Sequence, residues 1–269
     1  MAIINTNKII MVGLDMAVEN TGIISSVQTT VVLLKFPKDT FKELTGEKLI
    51  ELLDKGKLSA DGESPRSGFL EVKHSRIGTR DEILLEYLIE SPLQQRFVEI
   101  SPTGELTWTQ QLQYVPKLLF AHIRPYSGII ELYTSDKRFI NRLISDIRDC
   151  IKPSRELSIE KVIFSEELLE HILSKNEELL RVKFDHLDHT YLKEVILKGE
   201  LIDASEEYKH YRTQKNGKLS EFHIKYYSKT GTQVSLVVTR FGSLRFFRTS
   251  TELTWDTIEE FIDEVEKFL

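Results

Sequence analysis

Over 95–134 and again over 208–250, apolar residues alternate with polar ones in short runs separated by glycine-containing turns. The turns are Pro102-Thr-Gly104 and Tyr126-Ser-Gly128 in the first stretch, and Asn216-Gly217, Lys229-Thr-Gly231 and Phe241-Gly242 in the second. Alternation with period two bounded by such turns predicts antiparallel strands joined as meanders. In the first, strands are expected from Arg96, up to Tyr114, from Leu118 to Arg124 and from Ile129; in the second, over 208–213, 220–227, 233–240 and 243–249. Each meander gives way to a helical period: Phe139, Ile140, Leu143, Ile144, Ile147 and Ile151 after the first, and Trp255, Ile258, Phe261, Ile262, Val265, Phe268 and Leu269 after the second.

The matching order leads to an expected α+β fold of two similar halves, each an antiparallel meander sheet closed by a C-terminal helix, which suggests internal duplication. The N-terminal half, 1–152, is expected to hold a strand (30–36), a helix (40–55) opening on a Thr40-Phe-Lys-Glu43 capping box, the meander 95–134 and the helix 136–151. The C-terminal half, 153–269, is expected to hold a helical segment over 165–198, the meander 208–250 and the helix 252–269. Pro153 is a stop signal after the first closing helix, and 59–67, with Gly62 and Pro65, reads as a polar loop.

Composition changes this picture little. Of 269 residues, 41% are hydrophobic and 29% charged, which is ordinary globular composition. The longest apolar runs fall far short of a membrane span, no secretion signal is expected at the N-terminus, and the single Cys150 fits a reducing, cytoplasmic setting.

Charge changes it more. The formal net charge is -6, yet 208–250 carries nine Lys/Arg against one carboxylate, Glu221. In the corresponding span of the first half, Arg96, Lys117 and Arg124 are balanced by Glu99, Glu105 and Glu131, so the fold itself does not demand the excess. On the strand 220–227, Phe222, Ile224 and Tyr226 should face a core while His223, Lys225 and Tyr227 face away. An open face with Lys225, Tyr227, Thr239, Arg245 and Phe247, with Lys215, Lys218 and Lys229 at turns around its rim and Arg240 and Arg248 as further candidate binding residues, has the cations and aromatics that track phosphates and stack on bases. The opposing explanation is neutralisation by the final helix, which carries Glu252, Asp256, Glu259, Glu260, Asp263, Glu264 and Glu266. Arg240-Phe-Gly-Ser-Leu-Arg-Phe-Phe247 does not follow the glycine and aromatic order of RNA-recognition strands.

Reaction chemistry is thinly represented. Glu71 and Lys73, two apart on an expected strand with Asp54 and Asp61 upstream, could hold a divalent ion and activate water as metal nucleases do; the same spacing describes an exposed ion pair. Asp185, His186 and His189 could ligate a metal, or Asp188 could cap a helix starting near Thr190. Cys150 at a helix end reads as a small core residue. Phosphate-loop, nucleophile-elbow and dinucleotide-binding signatures are missing. The expectation is a non-enzymatic binding or adaptor protein needing no cofactor or metal, with nucleic acid or another polyanion as the favoured ligand of the C-terminal sheet. A protein-protein scaffold is the first alternative and a divalent-metal nuclease the second.

Overall fold

The computed structural model describes residues 28–37, 45–58, 66–77, 80–100, 103–151, 158–175, 178–188, 191–247 and 253–269. These form an α+β structure in which helices accompany extensive antiparallel pairing, grouped into two compact units. Among the described residues each unit draws on separated stretches: the first on those between 45 and 125 and on 136–151, the second on 28–37, 126–135 and those between 158 and 269. The expected boundary at Lys152 and Pro153, and the capping box at 40–43, lie outside the described residues.

In the first unit, β2 (Ser67–Ile77), β3 (Arg80–Ile100) and β4 (Leu106–Arg124) pair antiparallel in that order. Helix α1 (Gly46–Asp54) starts at Thr45, whose hydroxyl accepts from the Lys48 N–H. Helix α2 (Lys137–Ile151) carries its apolar stripe as expected and buries Phe139, Ile140, Leu143, Ile147 and Ile151. Alternation on β3 sends Ile83, Leu85 and Tyr87 to the core beside their partners Ile123, Ala121 and Leu119 on β4. The Tyr87 ring meets Phe69 edge-on, and its hydroxyl donates to Asp146 of α2 at 2.5 Å. Gly56 follows α1 where a Cβ would come within 2.3 Å of the Cys150 sulfur.

The strands of the first meander differ from expectation. Instead of breaking between Tyr114 and Leu118, β4 runs unbroken through Pro116, and β3 starts at Arg80 rather than near Arg96. Together they form a single ladder from Ile83–Ile123 to Ile100–Leu106. Among the described residues β2 pairs with β3 only as far as Ile89, and beyond that point β3 and β4 continue as a two-stranded ribbon. Pro92 lies just past the end of β2, where a missing N–H breaks no ladder bond to β2.

In the second unit, β1 (Gln28–Lys35) lies between β5 (Ile129–Leu132) and β11 (Ser243–Phe247), and it also pairs the short β6 (Glu160–Lys161). From β11 the sheet continues through β10 (Gln233–Thr239), β9 (Lys218–Tyr227), β7 (Glu178–Asp185) and β8 (Val195–Lys198), antiparallel throughout. Helix α3 (Glu166–Lys175) begins with Ser165 accepting from the Leu168 N–H at 3.1 Å. The last helix, α5 (Trp255–Glu266), is capped by Thr254 and sets Phe261 edge-on against Tyr226 and Phe246 of the sheet. A Lys175–Glu264 ion pair of 2.6 Å and the His171–Phe268 ring contact join α3 to α5 and the residues after it.

Two hairpins fall where glycine placed them. Gly231 (φ 82°) closes β9 onto β10, and Gly242 (φ 66°) closes β10 onto β11. Three expectations need correction. Within the helical segment expected over 165–198, the helix ends at Lys175 and is followed by β7 and β8, because Leu179, Val182 and Phe184 pack into the sheet opposite β9. The strand expected over 208–213 is helical: Ser205 accepts from the Tyr208 N–H and opens α4 (Glu206–Lys209), which continues as a π-type turn over His210–Gln214. Asn216-Gly217 therefore joins that turn to β9 rather than two strands. Asn216 takes a left-handed conformation (φ 51°), and a Cβ on Gly217 would lie 2.6 Å from the Tyr211 carbonyl oxygen.

Candidate functional site

The open face of the second sheet is built by strand register. Thr30, Arg245, Val237, His223 and Arg181 form one row across β1, β11, β10, β9 and β7; Gln28, Phe247, Ser235, Lys225 and Glu178 form the next. The opposite face carries Val182, Phe222, Ile224, Leu236, Leu244 and Phe246, all buried.

At the edge of this face, opposite Thr239 at the end of β10, Glu221 is bracketed by two guanidiniums. Arg181 Nη1 donates to one carboxylate oxygen at 2.6 Å and Arg245 Nη2 to the other at 3.0 Å. His223 stands in the same row as both arginines, with Nε2 in a hydrogen bond to Ser235 Oγ. Burial first, and then the Arg181 and Arg245 charges, lower its pKa from the usual 6.5, with Glu221 opposing, so the ring is held neutral at physiological pH. Tyr227 is 51% exposed and its hydroxyl accepts from Gln233 Nε2 at 3.1 Å. The Phe247 ring packs 6.0 Å from that of His223.

Much of the positive charge in this segment is matched by acids from elsewhere in the chain. Lys225 pairs with Glu178 at 2.6 Å, Arg240 with Glu166 at 3.4 Å and Lys209 with Glu206 at 3.0 Å; Arg212 lies 3.1 Å from Glu166 and also binds Glu170. Neutralisation thus comes chiefly from the Glu166–Lys175 helix, β7 and α4. The final helix contributes through Glu260, which accepts from the Lys229 backbone N–H at 3.0 Å. Lys215 and Lys218 flank the start of β9, Lys229 sits in the β9–β10 turn, and Arg248 lies outside the described residues. The structure therefore brings Lys225, Tyr227, Arg245 and Phe247 to one face, with Arg240 in the turn after β10. Glu178, Arg181, His223 and Ser235 belong to the same face, and the sequence alone does not single them out as members of a site.

A second surface lies on the ribbon. Directly paired residues of antiparallel strands share a face, so Ile100 with Leu106, Val98 with Trp108, and Gln94 with Leu112 occupy one side. Val98, Ile100, Leu106, Trp108 and Leu112 are between 44% and 71% exposed. Beyond Ile89, β3 has no pairing to β2, and the outer edges of the ribbon are open among the described residues.

The candidate reaction centres resolve into local pairs. Lys73 Nζ donates to Glu71 at 3.0 Å, with both side chains about half exposed, and Asp54 pairs with Lys57 at 3.2 Å; Asp61 lies outside the described residues. Among the described residues, neither Glu71 nor Asp54 joins a cluster of three metal-ligating side chains. Asp185 ends a strand rather than lying on a helix, so it does not share a helical face with His189, itself outside the described residues along with Thr190. The Asp188 N–H donates to the Lys215 carbonyl. Burial first, then the Asp146 and Asp149 charges, raise the Cys150 pKa, which favours a protonated, unreactive thiol. A groove of about 550 Å³ in the second unit is lined by Phe36, Pro37, Val162, Ile163 and Phe268, with Lys35 donating to the Leu269 carbonyl at its edge. Among the described residues no helix is long and apolar enough to cross a membrane.

No protein-family description matches the chain, and no curated protein matches it.

Proposed function

We propose that this chain is a non-enzymatic binding protein of the adaptor kind, a scaffold subunit that engages protein through the β3–β4 ribbon. The observation that carries this reading is the row of five large apolar side chains on one face of a two-stranded ribbon. Two strands alone are marginal in water, and an apolar ribbon with open edges favours association. The lone cysteine supports a reducing, cytoplasmic setting. The recurrence of strand, strand, strand and helix over 80–151 and 218–266 supports two similar halves, 1–152 and 153–269, related by duplication.

The chain has two tryptophans, so Trp255→Phe leaves Trp108 as the single reporter. In that variant at high dilution, iodide should quench most of the fluorescence, in line with a Trp108 that is 68% exposed. A shielded Trp108 in the dilute chain would overturn the reading.

A second reading is polyanion binding at the rim of the C-terminal sheet, favoured by Lys215, Lys218 and Lys229, whose side-chain ammonium groups form no ion pair with a carboxylate among the described residues, beside the exposed Tyr227. Anisotropy titrations with single- and double-stranded DNA and RNA test it. Replacing the three lysines with Ala should flatten the salt dependence by about one counterion for every phosphate left without its lysine. Identical slopes would remove this reading.

A further inference from the structure

We infer that the ribbon face is a homodimer contact, in which Val98, Ile100, Leu106, Trp108 and Leu112 pack against the same residues of a second copy. This rests on the adaptor reading and names the first partner of that surface.

Area, charge and availability point to a second copy. The five side chains offer roughly 600 Å² of apolar surface, at the upper end of the largest patch a monomer usually carries. Two such faces brought together bury roughly 1,200 Å², the lower bound for a specific interface. Between residues 91 and 114 the only charged residues are Arg96, Glu99 and Glu105. Those three sum to -1, so most of the net charge of -6 lies outside the ribbon, and two copies meet there with less like-charge repulsion than elsewhere on the chain. The register places Ile100–Leu106 and Val98–Trp108 next to the turn, then Arg96–Gln110, and then Gln94–Leu112. The edges that β2 leaves unpaired carry no lysine to discourage close approach.

A ribbon needing cover whenever the chain is folded is best served by a partner that is always present, and a second copy meets that condition. A two-fold arrangement lets one patch serve both sides of the contact. Trp108, 68% exposed and central to the patch, is its anchor.

Sedimentation velocity of the full chain over a dilution series, with Trp108 quenching followed in the Trp255→Phe variant, tests the inference. The expected result is a dimer that dissociates on dilution, with Trp108 shielded in the dimer and exposed in the monomer. Trp108→Glu should raise the dissociation constant by about 30-fold or more. Leu112→Asp should weaken the dimer less, and Lys198→Ala, on the second unit, should leave it unchanged. Circular dichroism and the unfolding midpoint identify variants that fail to fold; the milder Trp108→Ala then takes their place. A chain monomeric across the series, or a dimer indifferent to Trp108 and Leu112, overturns the inference. If the monomer keeps Trp108 open to iodide, the adaptor reading survives with a different partner; if it shields Trp108, both fall together.

Discussion

Glu221 is the single acid of 208–250, and in the fold it joins Arg181 of β7 to Arg245 of β11. All three side chains are partly exposed, so the bracket contributes modestly, and Glu221→Gln should cost about 1 kcal/mol in denaturant unfolding. The same change removes the one charge that raises the His223 pKa, so NMR titration should show the imidazole titrating lower still than in the parent. Because the folded His223 pKa already lies below 6.5, the unfolded chain takes up its proton first as pH falls. This group therefore leaves stability untouched above the unfolded pKa and subtracts from it as pH drops from there to the folded pKa. Thermal unfolding of His223→Gln should lack that part of the acid slope. The glycines give a sharper comparison. Gly231 faces open space at φ 82°, so Gly231→Ala should cost about 1 kcal/mol for its backbone alone. At Gly242 a Cβ would also lie 2.7 Å from the Val162 carbonyl oxygen, so Gly242→Ala should cost clearly more in the same assay.

At the scale of elements, helix α5 is held by its cap and by Phe261. Thr254→Ala removes the hydroxyl that accepts from the Thr257 N–H and should cost about 1 kcal/mol. Phe261→Ala, deep against Tyr226 and Phe246, should cost about 3–5 kcal/mol. Calorimetry separates the two. This helix, α2 and the two glycine hairpins are legible in the sequence because each has an undisturbed period or a turn residue with a defined job. β7 is not. Bulges between Leu179 and Arg181 and between Lys183 and Phe184 put its buried residues at 179, 182 and 184, a spacing that continues the helical rhythm of Leu168, Leu169 and Ile172. That rhythm also hides Glu178 and Arg181, and with them the partners that neutralise Lys225 and brace Glu221. Over 208–213 the aromatic residues suggest a strand, while the better signal lies just upstream, in Ser205 followed by Glu206 and Glu207 at a helix start.

At the scale of the molecule, the excess of basic residues in one segment proves to be largely an effect of where the segment is cut. Glu166, Glu170, Glu178 and Glu206 lie outside it in sequence and against it in space. The ribbon is hidden in the sequence for another reason: Pro116 suggests a break, and the exposure of alternate apolar residues becomes visible only once β2 is seen to stop at Ile89. The central claim is that this ribbon is an interaction face covered by a second copy, and amide hydrogen exchange of the ribbon at low and high protein concentration tests it most directly. Amides over 93–112 should exchange quickly in the dilute chain and become protected as concentration rises, while those of β9 and β10 stay unchanged. Ribbon exchange that is independent of concentration would contradict the claim.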